Sequence, residues 1–429
     1  MSDVKAPLRC VVLGCGVVGT EVVRRLLRHD ADLAARAGAE IELAGIGVRS
    51  TQTPRDEVVP SELLSEDLEA LIDSADIVVE LIGGVEPAKS LILRALRRGA
   101  SVVTANKALL AEAGPELQEA ADAHEGSLLY EAAVAGAVPV VRGIRESLAG
   151  DRITKILGIV NGTTNYILDQ MTTTGADFDT ALAAAQELGY AEADPTADID
   201  GFDAGAKAAI LASLAFHTRV YASDVPTEGI REITADDIAS AKATGNIVKL
   251  LAIAESVNGA IAVRVHPALV PADHPLATVS EAYNAVFIEA EAAGTLMFYG
   301  PGAGGAPTAA AVLGDIVDVA RGQVTGGRAP SGSTYAMLPI IDSGLVPNRY
   351  HMRLRVADRP GVLSEIATVV ANHGVSIETV RQTPGEEGRA GLIIVTYSAP
   401  QAALDATLTD LRVLGAVEEV VSVMRVEGN

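Results

Sequence analysis

Asp203 and Lys207 stand four positions apart in a stretch that is otherwise apolar, with Ala204, Ala206, Ala208, Ala209, Ile210 and Leu211 around the lysine. On a helix this spacing puts both on one face. A lysine so placed is poorly hydrated: desolvation favours its neutral amine, while the nearby carboxylate favours the ammonium. That competition suits proton transfer near neutral pH. The plainer alternative is an ion pair at the rim of a core, with the lysine stem lying on apolar surface. These residues alone leave both open. The run leading into the helix carries five carboxylates in twelve residues, Glu192, Asp194, Asp198, Asp200 and Asp203. No His or Cys joins them, which argues against a transition-metal site. A second lysine, Lys107, follows Thr104-Ala105-Asn106 directly after an apolar strand. Doubly wound sheets bind ligands in such loops, so Lys107 is a candidate to touch cofactor or substrate, against the alternative of a surface lysine.

A glycine turn, Gly14-Cys15-Gly16-Val17-Val18-Gly19, sits between an expected strand and an expected helix. The motif by itself is weak evidence, but this context is the one dinucleotide binding requires. The first glycine permits the tight turn, the second lets backbone approach a pyrophosphate, and the third allows close helix–strand packing. Gly14, Gly16, Val17, Val18 and Gly19 would then cradle the phosphates on the amides of a helix N-terminus. An acidic residue ending the second strand would mark NAD, but this chain has Gly47-Val48-Arg49-Ser50 there. Arg49 can pair with a 2′-phosphate, so the reading leans to NADP and leaves NAD or both open.

These residues need elements to hold them. Residues 8–13, 41–48, 76–82, 100–104 and 127–131 read as strands, separated by helices within 20–38 and at 66–74, 87–98 and 115–124. Such alternation implies a Rossmann-like, doubly wound parallel sheet over residues 1–140. Residues 141–322 read as an α+β domain, with strands at 152–160, 262–268, 277–290 and 294–299, a mostly helical 178–217 and a helix at 308–322. Residues 323–348, rich in Gly, Ser and Pro, read as a linker. Residues 349–429 follow the order strand 350–356, helix 361–373, strands 376–383 and 390–397, helix 400–413, strand 416–425. That is a ferredoxin-like βαββαβ module.

Length and composition set bounds. A chain of 429 residues implies two or three domains. Its net charge of −23 disfavours nucleic acid and anionic membrane as partners. Cys10 and Cys15 are poorly spaced to bridge, no signal peptide opens the chain, and no apolar run reaches membrane-spanning length. The expectation is a reduced, cytoplasmic protein.

With these motifs assembled, the chain closely resembles homoserine dehydrogenase over essentially its whole length. The resemblance rests on the glycine turn, Gly83-Gly84-Val85-Glu86-Pro87, Thr104-Ala105-Asn106-Lys107, Glu131 to Gly136, Asn161 to Leu168, Gly189 to Pro195, Asp198, Asp203, Lys207 and Tyr299 to Gly304. The last module looks like an ACT domain, with Asp358-Arg359-Pro360-Gly361-Val362-Leu363 at its first strand–helix turn. The resemblance implies interconversion of L-homoserine and L-aspartate 4-semialdehyde on the way to threonine and methionine. Lys207 would move the proton, Asp203 would orient it, and Lys107 would be a second acid/base between cofactor and substrate. Glu192, Asp198 and Tyr190 would hold the substrate, Glu192 near its amino group. Thr104, Lys107 and Gly302 would line the cofactor, with the Tyr299–Gly304 turn closing over it. A sodium ion would lie near Glu131, Val134, Gly136 and Val138, largely on backbone carbonyls. The 141–322 domain would carry catalysis and dimerisation, the chain would form a dimer or tetramer, and L-threonine would act through the ACT domain. Two alternatives stand beside this one: another Rossmann reductase acting on an amino-acid semialdehyde, and a non-catalytic amino-acid sensor. The ionisable lysines speak against the sensor.

Overall fold

The computed structural model describes residues 6–329, 334–385 and 388–428, so residues 330–333 of the expected linker lie outside the described residues. The chain forms two compact units. The first comprises Met1–Gly162, Asp203–Val225 and Ala282–Leu338, and the second Thr163–Phe202, Pro226–Glu281 and Pro339–Asn429.

The first unit is built on six parallel strands: β1 (Leu8–Leu13), β2 (Ile41–Gly47), β3 (Leu64–Ser65), β4 (Ile77–Glu80), β5 (Ser101–Thr104) and β6 (Leu128–Leu129). Their order is β3-β2-β1-β4-β5-β6, the doubly wound arrangement. The central strands are apolar on both faces because helices cover both: Val11, Val12, Leu13, Val78 and Val79 are fully buried. The strand order reverses between β1 and β4, so a crevice for a ligand opens at the carboxyl ends of these strands.

The helical stretch after the glycine turn is two helices, Val17–Arg28 and Asp30–Ala37, separated at His29. The first turns Val22, Val23 and Leu26 onto the sheet, and the second ends on left-handed Gly38. The helix expected from residue 115 begins earlier, at Lys107, where Asn106 caps it by accepting from the Leu109 amide. Pro115 therefore lies inside that helix and does not open it. Three antiparallel strands complete this unit, Ile153–Ile159 pairing with Tyr283–Ala290 and that with Gly294–Pro301. The helix expected over 308–322 runs from Gly305 to Thr325, because its stop is left-handed Gly326. The start of the expected linker is therefore helical.

In the second unit, residues 163–174 and 178–187 are helical, and Asn246–Val257 pairs with Ala260–Pro271 as a long hairpin. The strand expected to begin at 277 begins at Tyr283; Pro275–Thr278 is a short 3-10 turn. The C-terminal module has the expected βαββαβ order. Its strands are arranged Val417–Val426, Arg349–Ala357, Arg389–Thr396, Ile377–Pro384, all antiparallel, with helices Val362–Asn372 and Gln401–Val413 supplying the core. Both cysteines are free thiols, and burial pushes that of Cys10 up to about 12. Among the described residues no helix is long and apolar enough to cross a membrane.

Candidate active site

The helix Phe202–Ala215 is apolar nearly all round, so its two charged residues are carried into the interior together. Asp203 is 6% exposed and Lys207 8%. The Lys207 ammonium donates to Asp203 Oδ2 at 2.8 Å, the contact their spacing demands, and to the carbonyl of Val160 at 2.6 Å. Asn161 donates to the same Oδ2 from its side-chain amide at 2.8 Å. The other oxygen, Oδ1, is ion-paired with Lys107, whose side chain is 46% exposed. One carboxylate thus joins both candidate lysines. Burial by itself would raise the Asp203 carboxyl, but the charges and hydrogen bonds of Lys207 and Lys107 outweigh it and hold it well below the usual carboxylate range. The cluster keeps one negative charge between two positive ones, with one lysine sheltered and the other reaching toward solvent.

The glycine turn shows why its residues are what they are. Gly14 has φ +99°, and a Cβ there would lie 2.6 Å from the Leu81 carbonyl oxygen. A Cβ on Gly19 would lie 2.1 Å from the Gly14 carbonyl oxygen. A Cβ on Gly16 would meet nothing within 4 Å, and no side chain caps the helix it opens. Packing within the protein therefore does not explain Gly16, and the first-turn amides of the helix it opens have no side-chain cap. Val17 is 76% exposed at this end. Arg49 is exposed on the loop after β2. Arg55, unremarked in the sequence, donates to the carbonyls of Cys15 and Ser50, each at 3.1 Å, and ties the glycine turn to the β2 loop.

On the far wall, Thr104 is fully buried at the end of β5 and precedes Lys107. The turn bearing Gly302 packs as closely as glycine allows: a Cβ on Gly136 would lie 2.4 Å from the Gly302 carbonyl oxygen, and one on Gly302 2.2 Å from Asn284 Cγ. Asn284 donates to the Val160 carbonyl at 3.0 Å, so the oxygen that receives Lys207 is also fixed from the second strand.

Residues 131–138 form an irregular turn, with Ala135 and Gly136 left-handed. Glu131 is buried, and its carboxylate accepts from the amides of Val141 (2.9 Å) and Arg142 (2.8 Å). Its own amide donates to Asp315 at 2.8 Å. Val138 donates its amide to the Ala135 carbonyl at 3.0 Å. No backbone amide among the described residues takes the carbonyls of Val134 or Gly136, which leaves the hard oxygens an alkali cation requires.

Tyr190, Glu192 and Asp198 belong to the second unit. The Tyr190 carbonyl accepts from the Thr163 hydroxyl at 2.6 Å, and its ring lies 5.0 Å from that of Tyr166. Glu192 is exposed, its carbonyl accepting from Gln186 at 3.1 Å, and Asp198 lies in the short helix Thr196–Ile199.

Comparison with known proteins decides the family. Residues 14–131 match the homoserine dehydrogenase NAD-binding domain, residues 139–317 homoserine dehydrogenase, and residues 350–416 the ACT domain. The homoserine dehydrogenase of Corynebacterium glutamicum is 54% identical over 423 residues, covering 97% of this chain and 95% of that protein. The chain belongs to the homoserine dehydrogenase family. It is therefore an oxidoreductase with an NAD-binding Rossmann-like sheet, a catalytic domain and a C-terminal ACT domain. The crystal structure of the Thiobacillus denitrificans family member is 38% identical, with a TM-score of 0.91 over 98% of both chains. A hyperthermophilic archaeal homoserine dehydrogenase solved in complex with NADPH is 27% identical, with a TM-score of 0.64 over 76% of this chain and 100% of that one.

Asn161 opens one of the motifs that carried the resemblance, whereas Asn284 and the Val160 carbonyl entered the lysine cluster without a signal in their types, because the contacts that bring them there span 47 residues or more.

Proposed function

We propose that this chain interconverts L-homoserine and L-aspartate 4-semialdehyde with NADP or NAD. The observation that carries the reading is the single buried carboxylate of Asp203 shared by Lys107 and Lys207 in the unit that bears the glycine turn. When bound, the nicotinamide supplies the hydride acceptor. For oxidation a lysine first gives its proton to solvent and then takes the hydroxyl proton, and Asp203 stabilises the ammonium so restored; in the reverse direction the ammonium donates. Lys207, sheltered on its helix, and Lys107, half exposed, are the two nitrogens this carboxylate holds for the proton, with Lys207 as the first candidate and Lys107 as the second. Glu192 and Asp198, with Tyr190, bind the substrate, a carboxylate meeting its ammonium. Gly14, Gly16, Val17, Val18 and Gly19 hold the pyrophosphate, Thr104 and Gly302 border the nicotinamide, and Arg49 takes a 2′-phosphate, which favours NADP. Sodium on the carbonyls around Glu131, Val134, Gly136 and Val138 steadies the turn against Gly302.

The same reading gives the 1–140, 141–322 and 349–429 regions their dinucleotide-binding, catalytic and regulatory roles and makes the enzyme a cytoplasmic homo-oligomer, a dimer at least. It places the enzyme in threonine and methionine formation, with L-threonine inhibiting through the ACT module, where the Asp358–Leu363 turn offers helix-terminal amides to a carboxylate. The test is absorbance at 340 nm with homoserine and either cofactor, with and without threonine. Homoserine-dependent reduction is expected, and Lys207→Ala should lower turnover about 10²-fold. Absence of homoserine-dependent reduction with both cofactors overturns the reading, and undiminished turnover of Lys207→Ala removes the lysine from it.

A further inference from the structure

Glu80 is the last residue of β4 and is completely buried. A carboxylate there is costly unless hydrogen-bonded or paired. Among the described residues no cation pairs with it; three donors from two loops satisfy it instead. Oε1 accepts from the amides of Ile82 (2.7 Å) and Gly83 (3.1 Å), in the loop that follows β4. Oε2 accepts from the Thr104 hydroxyl at 2.6 Å, at the end of β5. The Thr104 oxygen in turn accepts from the Asn106 amide at 3.0 Å. Asn106 then faces two ways: its Oδ1 accepts from the Leu109 amide at 3.1 Å and caps the helix, and its Nδ2 donates to the Gly84 carbonyl at 2.6 Å. The ring closes on the loop where it began. The next residue is Lys107, the first of that helix, whose ammonium reaches Asp203.

We propose that Glu80 is a positioning residue for the reaction: through Thr104 and Asn106 it fixes the backbone from which Lys107 reaches Asp203. This rests on the reading that Lys107 serves the chemistry. Three features make the ring suited to the task. It joins the loops after β4 and β5, beside the point where the strand order reverses; its side-chain links Glu80, Thr104 and Asn106 are buried, while its glycine links Gly83 and Gly84 face solvent; and each acceptor is matched by a donor of fixed backbone or short side chain. A long lysine on a loosened loop would sample many positions, and a misplacement of about 1 Å costs on the order of 10²-fold in rate.

The test is a double-mutant cycle on the full chain, with kcat and KM for homoserine, the NADPH dissociation constant from its fluorescence, and thermal melting of each variant. Glu80→Ala should lower kcat about 10–100-fold with a KM within about threefold of the parent. Glu80→Gln keeps an acceptor for the two amides and a polar contact for Thr104, and should recover most of the loss. In a Lys107→Met background, Glu80→Ala should cost less than about threefold more, because the group it positions is gone. If Glu80→Ala does not melt cooperatively, Thr104→Val, which removes one hydroxyl, takes its place in the cycle. Equal fold-losses in both backgrounds, or a Glu80→Ala variant with full kcat, overturn the proposal while leaving Lys107 in the reaction. Near-normal turnover of Lys107→Met overturns both the proposal and the reading beneath it.

Discussion

At Asp203 three short contacts meet in a place water barely reaches: Lys207 and Asn161 on one oxygen, Lys107 on the other. A carboxylate whose folded pKa lies below its unfolded value stabilises the fold above the unfolded value, and that stability is lost as pH falls through the folded one. Asp203 is such a group, held low by its two lysines against the effect of burial. Asp203→Asn keeps the shape and removes the charge, so two ammonium groups are left facing a neutral amide. Denaturant unfolding at pH 7.5 should show a loss of roughly 3 kcal/mol, typical of breaking a buried ion pair. The gap between parent and variant should narrow as pH is lowered toward 3; a gap that stays constant contradicts the charge argument. The Asp203–Lys207 pair was legible because both members lie on one helical turn. Lys107, Asn161 and Asn284 join it through tertiary contacts, and no periodicity reports those.

Elements are read by their local rules, and the glycine turn separates packing from binding. Gly19→Ala would drive a methyl onto the Gly14 carbonyl, so it should destabilise by roughly 1–3 kcal/mol and weaken cofactor binding together. Gly16→Ala meets open space, and its melting should stay within about 0.5 kcal/mol of the parent while NADPH binding weakens about tenfold or more. Fluorescence titration beside thermal melting distinguishes the two; a Gly16→Ala that binds normally removes the phosphates from this turn. The parallel sheet and the C-terminal module were legible for the same reason as this turn: strand runs, helix periodicity and punctuation agreed. The strand Asn246–Val257 was not read. Its run NIVKLLAIA is buried on both sides, Lys249 included, so no alternation marks it. The signal lay in the connection: Asn258 and Gly259 are both left-handed, the two-residue hairpin turn that an Asn-Gly pair favours. Lys249 lies hidden in that strand because its ammonium donates to Asn165 at 3.0 Å and to the Val279 carbonyl at 2.5 Å, while burial lowers its pKa to about 8.

Over the whole molecule, 56 acidic residues outnumber 33 basic ones, yet two buried histidines give a sharper handle on acid stability than the net charge does. His266, on the strand Ala260–Pro271, is held neutral: its Nδ1 contacts the Pro267 carbonyl at 3.0 Å, and its Nε2 accepts from Arg264 at 3.3 Å. Burial foremost, and the charges of Arg425 and Arg264 against the pull of Glu427, push it down to about 3. His351, on the strand Arg349–Ala357, faces Ser240 at 3.4 Å; burial, and Arg353 against Asp237, push it down to about 4. The unfolded chain protonates both near pH 6.5, so between that pH and about 4 it binds more protons than the folded one, and stability falls as pH falls. From pH 7.5 to 5.5 the linkage amounts to about 1.4 kcal/mol for each histidine, near 3 kcal/mol for the pair. Asp315 works against this, because burial pushes its carboxyl up to about 7 and the folded chain gains that proton over the same window, adding roughly 2 kcal/mol; urea unfolding of the parent at the two pH values should therefore show only a small net drop. Replacing both histidines with Asn should make the change between the two pH values more favourable by about 3 kcal/mol whatever the replacements cost at pH 7.5, because only that difference reports the protons. A double variant with the parent's slope would place the acid lability elsewhere.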